Sequence, residues 1–169
     1  MSPGSVPRAG DALPPLEIPV TRTLIVAGAI ASRDYQDVHH DAELARAKGS
    51  PDIFMNILTT NGLVGRYVTD CFGPGAVLRK VAIRLGAPNY PGDTMTLTGT
   101  VERVERAGRV ERVATGTPGA PGAPGGGVAA VTVRVVGANS IGKHVTGTAT
   151  VTVPAGPRRT AGGRTGGDA

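Results

Sequence analysis

The chain has 169 residues, 18 Lys and Arg against 13 Asp and Glu, and one cysteine; the length suits a single domain that buries about two thirds of its unfolded surface, and one cysteine excludes an internal disulfide or a Cys-rich metal cluster. Setting aside the charges of residues 1–15 and 154–169 lowers the formal net charge from +5 to +3, and Arg103, Arg106, Arg109 and Arg112 are interleaved with Glu102, Glu105 and Glu111, the pattern of a solvated strand face rather than a phosphate track. With two Phe, three Tyr and no Trp there is little on which bases could stack, so no nucleic-acid partner is expected, while the basic excess favours an anionic small ligand.

The Pro/Gly-rich start has no apolar leader core, and no stretch approaches the ~18 apolar residues of a membrane span. With the lone cysteine, these features predict a cytoplasmic protein without a membrane anchor. Both ends, 1–15 and 154–169, are expected to be disordered, leaving 16–153 as the folded domain. Within it, "TRTLIVAGAIA" (21–31) suits a short buried strand that turns helical before an acidic cluster. "DAELARAKG" (41–49) reads as a short helix with Asp41 as N-cap and Gly49 as its stop. "SPDIFMNILTTNGLVGRYVTDCFG" (50–73) is the one long helix, opened by Ser50-Pro51 and closed at Gly73-Pro74. Gly62 and Gly65 in its middle each cost about 1 kcal/mol of propensity against alanine, which implies close packing against that helix. Cys71, near its end, reads as a small buried hydrophobe.

Residues 76–85, 93–106, 128–138 and 144–153 read as strands. Met95, Leu97, Gly99 and Val101 alternate with Thr94, Thr96, Thr98 and Thr100, and Val145, Gly147, Ala149, Val151 and Val153 alternate with threonines. A period of two means strands with one buried face. "TGTPGAPGAPGGG" (115–127) is a low-complexity insertion between two of them, expected to be a flexible loop without chemistry. The order of elements predicts an α+β domain in which a curved antiparallel sheet wraps one long helix, the arrangement called a hot-dog fold. A single unit of this kind leaves a sheet edge open, so pairing with another chain is expected.

"SRDYQDVHHD" (32–41) holds three carboxylates and two of the three histidines. Asp34 and His39 lie five apart, which sets them about 140° around a helix or on opposite faces of a strand, so they converge only across an irregular turn. Asp37 and Asp41 are explained as a turn residue and a cap. His39 and His40 are adjacent, and spacing alone does not choose between them. Elsewhere His144 reads as a strand-edge histidine and Asp93 as a turn former.

"RDYQDVHHD" resembles the signature of MaoC-like (R)-specific enoyl-CoA hydratases: Asp, four residues, His, and an acidic residue two places on, matched by Asp34, His39 and Asp41. "YPGDTMTLTGTV" (90–101) resembles the family's Pro-Gly-Asp lead into a strand after the central helix. More narrowly, "DIFMNILTTNGLVGRYVTD" and "RLGAPNYPGDT" resemble the small MaoC-like subunit of two-chain hydratases of bacterial steroid side-chain degradation. Where common family members carry Asn-Pro inside the signature this chain has Gln36-Asp37, and where they carry His-Gly at the helix start it has Asn56-Ile57.

The resemblance implies syn addition of water to a trans-2-enoyl-CoA, with Asp34 and His39 as the catalytic pair. Asn56 and Ile57 then supply amides near the thioester oxygen, and Tyr35 and His40 line the substrate pocket. It implies no metal and no cofactor beyond the coenzyme A thioester that is the substrate, and a second hot-dog chain as partner, often attached to further domains. The competing readings are a non-catalytic partner subunit and a hot-dog thioesterase. The latter places its carboxylate on the central helix, where this chain has no Asp or Glu between Asp52 and Asp70.

Overall fold

A computed structural model describes residues 7–107 and 127–154. The chain runs β1 (Ala12–Pro19), α1 (Arg22–Ala31), a 3₁₀ turn (Asp37–His39), α2 (Ala42–Ala47), α3 (Ile57–Phe72), β2 (Val77–Leu85), β3 (Thr94–Ala107), β4 (Val128–Ala138) and β5 (Lys143–Pro154). The five strands form one antiparallel sheet in the order β1-β3-β4-β5-β2. The sheet with α3 against it is a hot-dog fold, and the four later strands fall where their alternation places them. Met95, Leu97, Val101, Val131, Val133, Val135, Ala149 and Val151 are all buried on one face, while threonines of β3 and β5 point the other way, as the two-residue period requires.

The start of the domain differs from the expectation of a disordered segment through residue 15. β1 begins at Ala12 and pairs with β3 from Ala12↔Thr100 to Pro19↔Thr94, with an irregularity between Leu13 and Leu16. Pro14 and Pro15 occupy that irregularity, where the missing backbone donors are tolerated because β1 is an edge strand. Residues 1–6, most of the 115–127 insertion and the tail from 155 lie outside the described residues. Among the described residues no helix is long and apolar enough to cross a membrane.

Two helix boundaries also differ. The apolar run 21–31 is helical throughout its body: Thr21 caps α1 by accepting from the Leu24 amide, and Ile25 and Ala29, one turn apart, are its buried positions. An apolar run of this length satisfies either period, and the cap decides in favour of the helix. The long helix starts at Ile57 rather than beside Ser50-Pro51, with Asn56 as N-cap. Residues before it are extended because the Phe54 amide donates to Val38 O (3.0 Å) and the Met55 amide to Asn89 O (3.0 Å). Tertiary hydrogen bonds thus override the local Ser-Pro signal.

α3 buries Thr60, Val64, Gly65, Tyr67 and Val68. At Gly65 an added Cβ would meet Leu78 Cδ2 at 3.0 Å, so close packing accounts for that glycine. Gly62 differs from the expectation: it is exposed, and nothing among the described residues lies within 4 Å of where its Cβ would be. The tighter constraint is at Gly28 of α1, where a Cβ would run into the Thr59 side chain. α1 therefore crosses the first turn of α3 at backbone distance, and that crossing places the end of α1 beside the start of α3.

Candidate active site

Three short pieces of irregular backbone meet at this crossing. α1 ends with Ser32, whose hydroxyl donates to Gly28 O (2.7 Å), followed by Arg33 at φ 56°. A left-handed conformation costs a non-glycine residue roughly 1–2 kcal/mol. It turns the chain back so that the Asp34 amide donates to Ala29 O (2.9 Å) and the Asp34 carboxylate lies over the helix end. The 3₁₀ turn then brings His39 round to face it. Asp34 and His39, which no regular element could join at this spacing, meet with Nε2 and Oδ2 3.3 Å apart.

His39 is 6% exposed, and its Nδ1 lies 2.7 Å from Phe54 O. A ring nitrogen against a carbonyl must carry its hydrogen, so Nδ1–H donates there and Nε2 is left for Asp34 or a water beside it. The Phe54 ring packs edge-on against the imidazole at 5.1 Å between centroids, which fixes the ring plane. Asn56 closes the site from the other side. Its Nδ2 donates to Asp34 Oδ2 (3.0 Å) and to Ser32 Oγ (2.9 Å), while its Oδ1 accepts from the Thr59 amide (2.9 Å). One buried side chain therefore caps α3 and grips the carboxylate. Asp34 Oδ1 has no hydrogen-bond partner among the described residues.

The other sequence candidates separate. His40 turns outward and its Nε2 lies 3.1 Å from Tyr35 O in the same turn, so the structure distinguishes the two adjacent histidines. Tyr35 is 66% and Ile57 47% exposed, both at the rim. The Ile57 and Leu58 amides, at the positive end of α3, have no partner among the described residues, as first-turn donors of a helix do not. Asp41 caps α2 by accepting from the Glu43 and Leu44 amides. Asp37 is held by Lys48 at 2.6 Å, and that hydrogen bond, with the lysine charge, lowers its carboxyl below the usual range. Both are accounted for by the turn itself. Asp93 also serves a turn, accepting from the Thr94 amide and the Ser140 hydroxyl.

His144 differs from a strand-edge histidine: it is 1% exposed beneath α3. Sequence reasoning passed over it because its partner, Thr60, stands 84 residues away. A cleft of about 340 Å³ lined by Pro14, Pro15, Leu16, Tyr67, Asp70 and Cys71 lies at the far end of α3. It shares no residue with the Asp34 and His39 pair, so the candidate site is defined by the pair's geometry rather than by that cleft.

A carboxylate and an imidazole thus face each other beside a helix N-terminus on a hot-dog scaffold, an arrangement suited to holding a water between a proton acceptor and a ring nitrogen. The profile of the MaoC like domain matches residues 7–120, and the chain belongs to that family. It is 44% identical over 139 residues to the 3-oxo-4,17-pregnadiene-20-carboxyl-CoA hydratase beta subunit of Mycobacterium tuberculosis, covering 82% of this chain and 91% of that one. Among solved structures it matches a chain of the ChsH1-ChsH2 complex from Mycobacterium tuberculosis with a TM-score of 0.70 and 41% identity, covering 88% and 99% of the two chains. The R-hydratase PhaJ1 from Pseudomonas aeruginosa matches with a TM-score of 0.65 at 17% identity, over 92% and 93%, a likeness of fold.

Proposed function

We propose that this chain is a catalytic subunit of a cytoplasmic enoyl-CoA hydratase, adding water syn to a trans-2-enoyl-CoA whose acyl group is a bulky steroid side-chain thioester. The observation that carries this reading is the 3.3 Å approach of His39 Nε2 to Asp34 Oδ2 near the first-turn amides of α3, which have no partner among the described residues. With Nδ1–H committed to Phe54 O, Nε2 of a neutral His39 presents a lone pair. A water can then donate one hydrogen to Nε2 and one to Asp34 Oδ1, leaving its oxygen directed outward at the substrate's C3.

Asp34 takes the water proton as the oxygen bonds to C3, and the electron pair of the double bond moves through C2 to the thioester oxygen. The Ile57 and Leu58 amides stabilise that enolate oxygen. Asp34 then returns its proton to C2 from the same face, which makes the addition syn and regenerates the carboxylate. Tyr35 and His40 at the rim are assigned to the substrate's entrance. Proton transfers suffice for the reaction, so the coenzyme A thioester is substrate and no cofactor is required.

Similarity to the beta subunit of one two-chain hydratase and to a chain of a two-chain complex supports a second hot-dog chain as partner. The test is to incubate the full chain, alone and co-purified with a second hot-dog subunit, with 3-oxo-4,17-pregnadiene-20-carboxyl-CoA. Loss of enoyl-thioester absorbance without release of free thiol is expected. Thiol release would replace hydration by thioester hydrolysis, and full activity of the isolated chain would remove the need for a partner.

A further inference from the structure

His144 is a buried titratable side chain that the hydration mechanism leaves unused. His144, on β5, lies under the first turn of α3 with Nδ1 2.6 Å from Ala87 O and Nε2 2.9 Å from Thr60 Oγ1. Thr60 is itself fully buried, and its hydroxyl oxygen is 3.3 Å from Asn56 O. The carbonyl of Ala87 requires hydrogen on Nδ1, so in the neutral ring Nε2 is an acceptor and the single Thr60 hydroxyl hydrogen points to it. Thr60 also donates its backbone amide to Asn56 O (3.2 Å). The residue tied to the sheet by His144 is therefore the one that closes the first turn behind Asn56.

We propose that His144 is a positioning residue for the site: acting through the Thr60 hydroxyl, it fixes the first turn of α3, and with it the Asn56 amide that holds Asp34 and the open amides of Ile57 and Leu58. The inference rests on the hydration reading. It adds that the register between the Asp34 carboxylate and the helix amides is set from below by a sheet residue that touches no substrate. Without that anchor the first turn loses its hydrogen bond to the sheet and rests on the Asn56 cap and the α1 crossing alone, and first turns fray. Interactions that matter only when charge develops on the thioester oxygen then weaken, which lowers kcat and leaves KM nearly unchanged.

The experiment compares Thr60→Val, Thr60→Ser and Asp34→Asn in the full chain with its partner subunit, using 3-oxo-4,17-pregnadiene-20-carboxyl-CoA. Thr60→Val, which keeps shape but not the hydroxyl, is expected to lower kcat about tenfold with KM within about twofold, and Thr60→Ser to restore most of kcat. Wild-type kcat in Thr60→Val, or equal impairment in Thr60→Ser, would overturn the proposal by showing that packing, not the hydroxyl, matters. If Asp34→Asn hydrates as well as wild type, the hydration reading itself falls, and the positioning role with it. Should Thr60→Val not fold, nitrogen-15 NMR of the wild-type ring decides: Nδ1–H with bare Nε2 at pH 7.5 supports the assignment, and the Nε2–H tautomer overturns it.

Discussion

His39 and Asp34 face one another across 3.3 Å although five residues separate them, because a left-handed Arg33 ends one helix and a 3₁₀ turn begins the next structure. The pair is thus held by backbone, with Phe54 O and the Asn56 amide as side supports. Asp34→Asn removes the group that takes the proton, and His39→Ala the one that orients the water. Each is expected to lower turnover about 10²- to 10⁴-fold with an unchanged circular dichroism spectrum. Hydration at the parental rate in either variant would withdraw that residue's role.

Asn56 carries two functions that substitution can separate. Asn56→Asp keeps an oxygen for the Thr59 amide but sets a carboxylate against Asp34 Oδ2. The cap oxygen survives, but two carboxylates then oppose each other in a largely buried site, so stability is expected to fall by about 1–3 kcal/mol and turnover at least tenfold. Asn56→Ala loses the cap as well, costing about 1 kcal/mol. Urea melts read alongside turnover check this, and a stable, fully active Asn56→Asp would show that the amide is not needed by the carboxylate.

Burial of His144 lowers its pKa from the ordinary value, opposed only in part by the Ala87 carbonyl. The unfolded chain therefore binds a proton near pH 6.5 that the folded chain still refuses. Stability contributed by the neutral ring is present above that pH and declines as pH falls below it, by up to about 1.4 kcal/mol per pH unit until the folded ring also titrates. Urea melts between pH 7.5 and 5.5 should show this decline reduced in His144→Gln. An equal decline in both proteins would assign it to other groups.

At the helix crossing, Gly28→Ala pushes a methyl into the Thr59 hydroxyl and methyl, so one of the two must shift. A loss of about 1–3 kcal/mol is expected, with lower turnover because the end of α1 carries Asp34. Thr59→Ala empties the contested space and removes a buried hydroxyl that has no hydrogen-bond partner among the described residues. The double variant should recover most of the loss, a coupling measurable by a thermodynamic cycle. Simple additivity would mean the two helices do not meet there.

The strands were legible because alternation records burial directly: Met95, Leu97 and Val101 point inward as their spacing requires. α2 was legible because Asp41 and Gly49 bracket it. α1 was not, since an apolar run carries no period and only the Thr21 hydroxyl marks its start. The beginning of α3 was hidden for a different reason. Ser50-Pro51 is a stronger local cap signal than Asn56, and the hydrogen bonds that keep 53–56 out of the helix come from Val38 and Asn89. The catalytic candidates were found through their likeness to a known signature, whereas Arg33's backbone and the Thr60 to His144 bond have no local trace.

Pro14 and Pro15 have a consequence beyond their own strand. They sit on the outer margin formed by β1 and remove amides a neighbouring strand would need, whereas β2, on the opposite margin, contains no proline from Val77 to Leu85. Such a ribbon accepts a new strand more readily along β2 than along β1. Two of them joined along their receptive borders would leave blunt borders outside, so association through the sheet terminates at a pair instead of running on into a fibre.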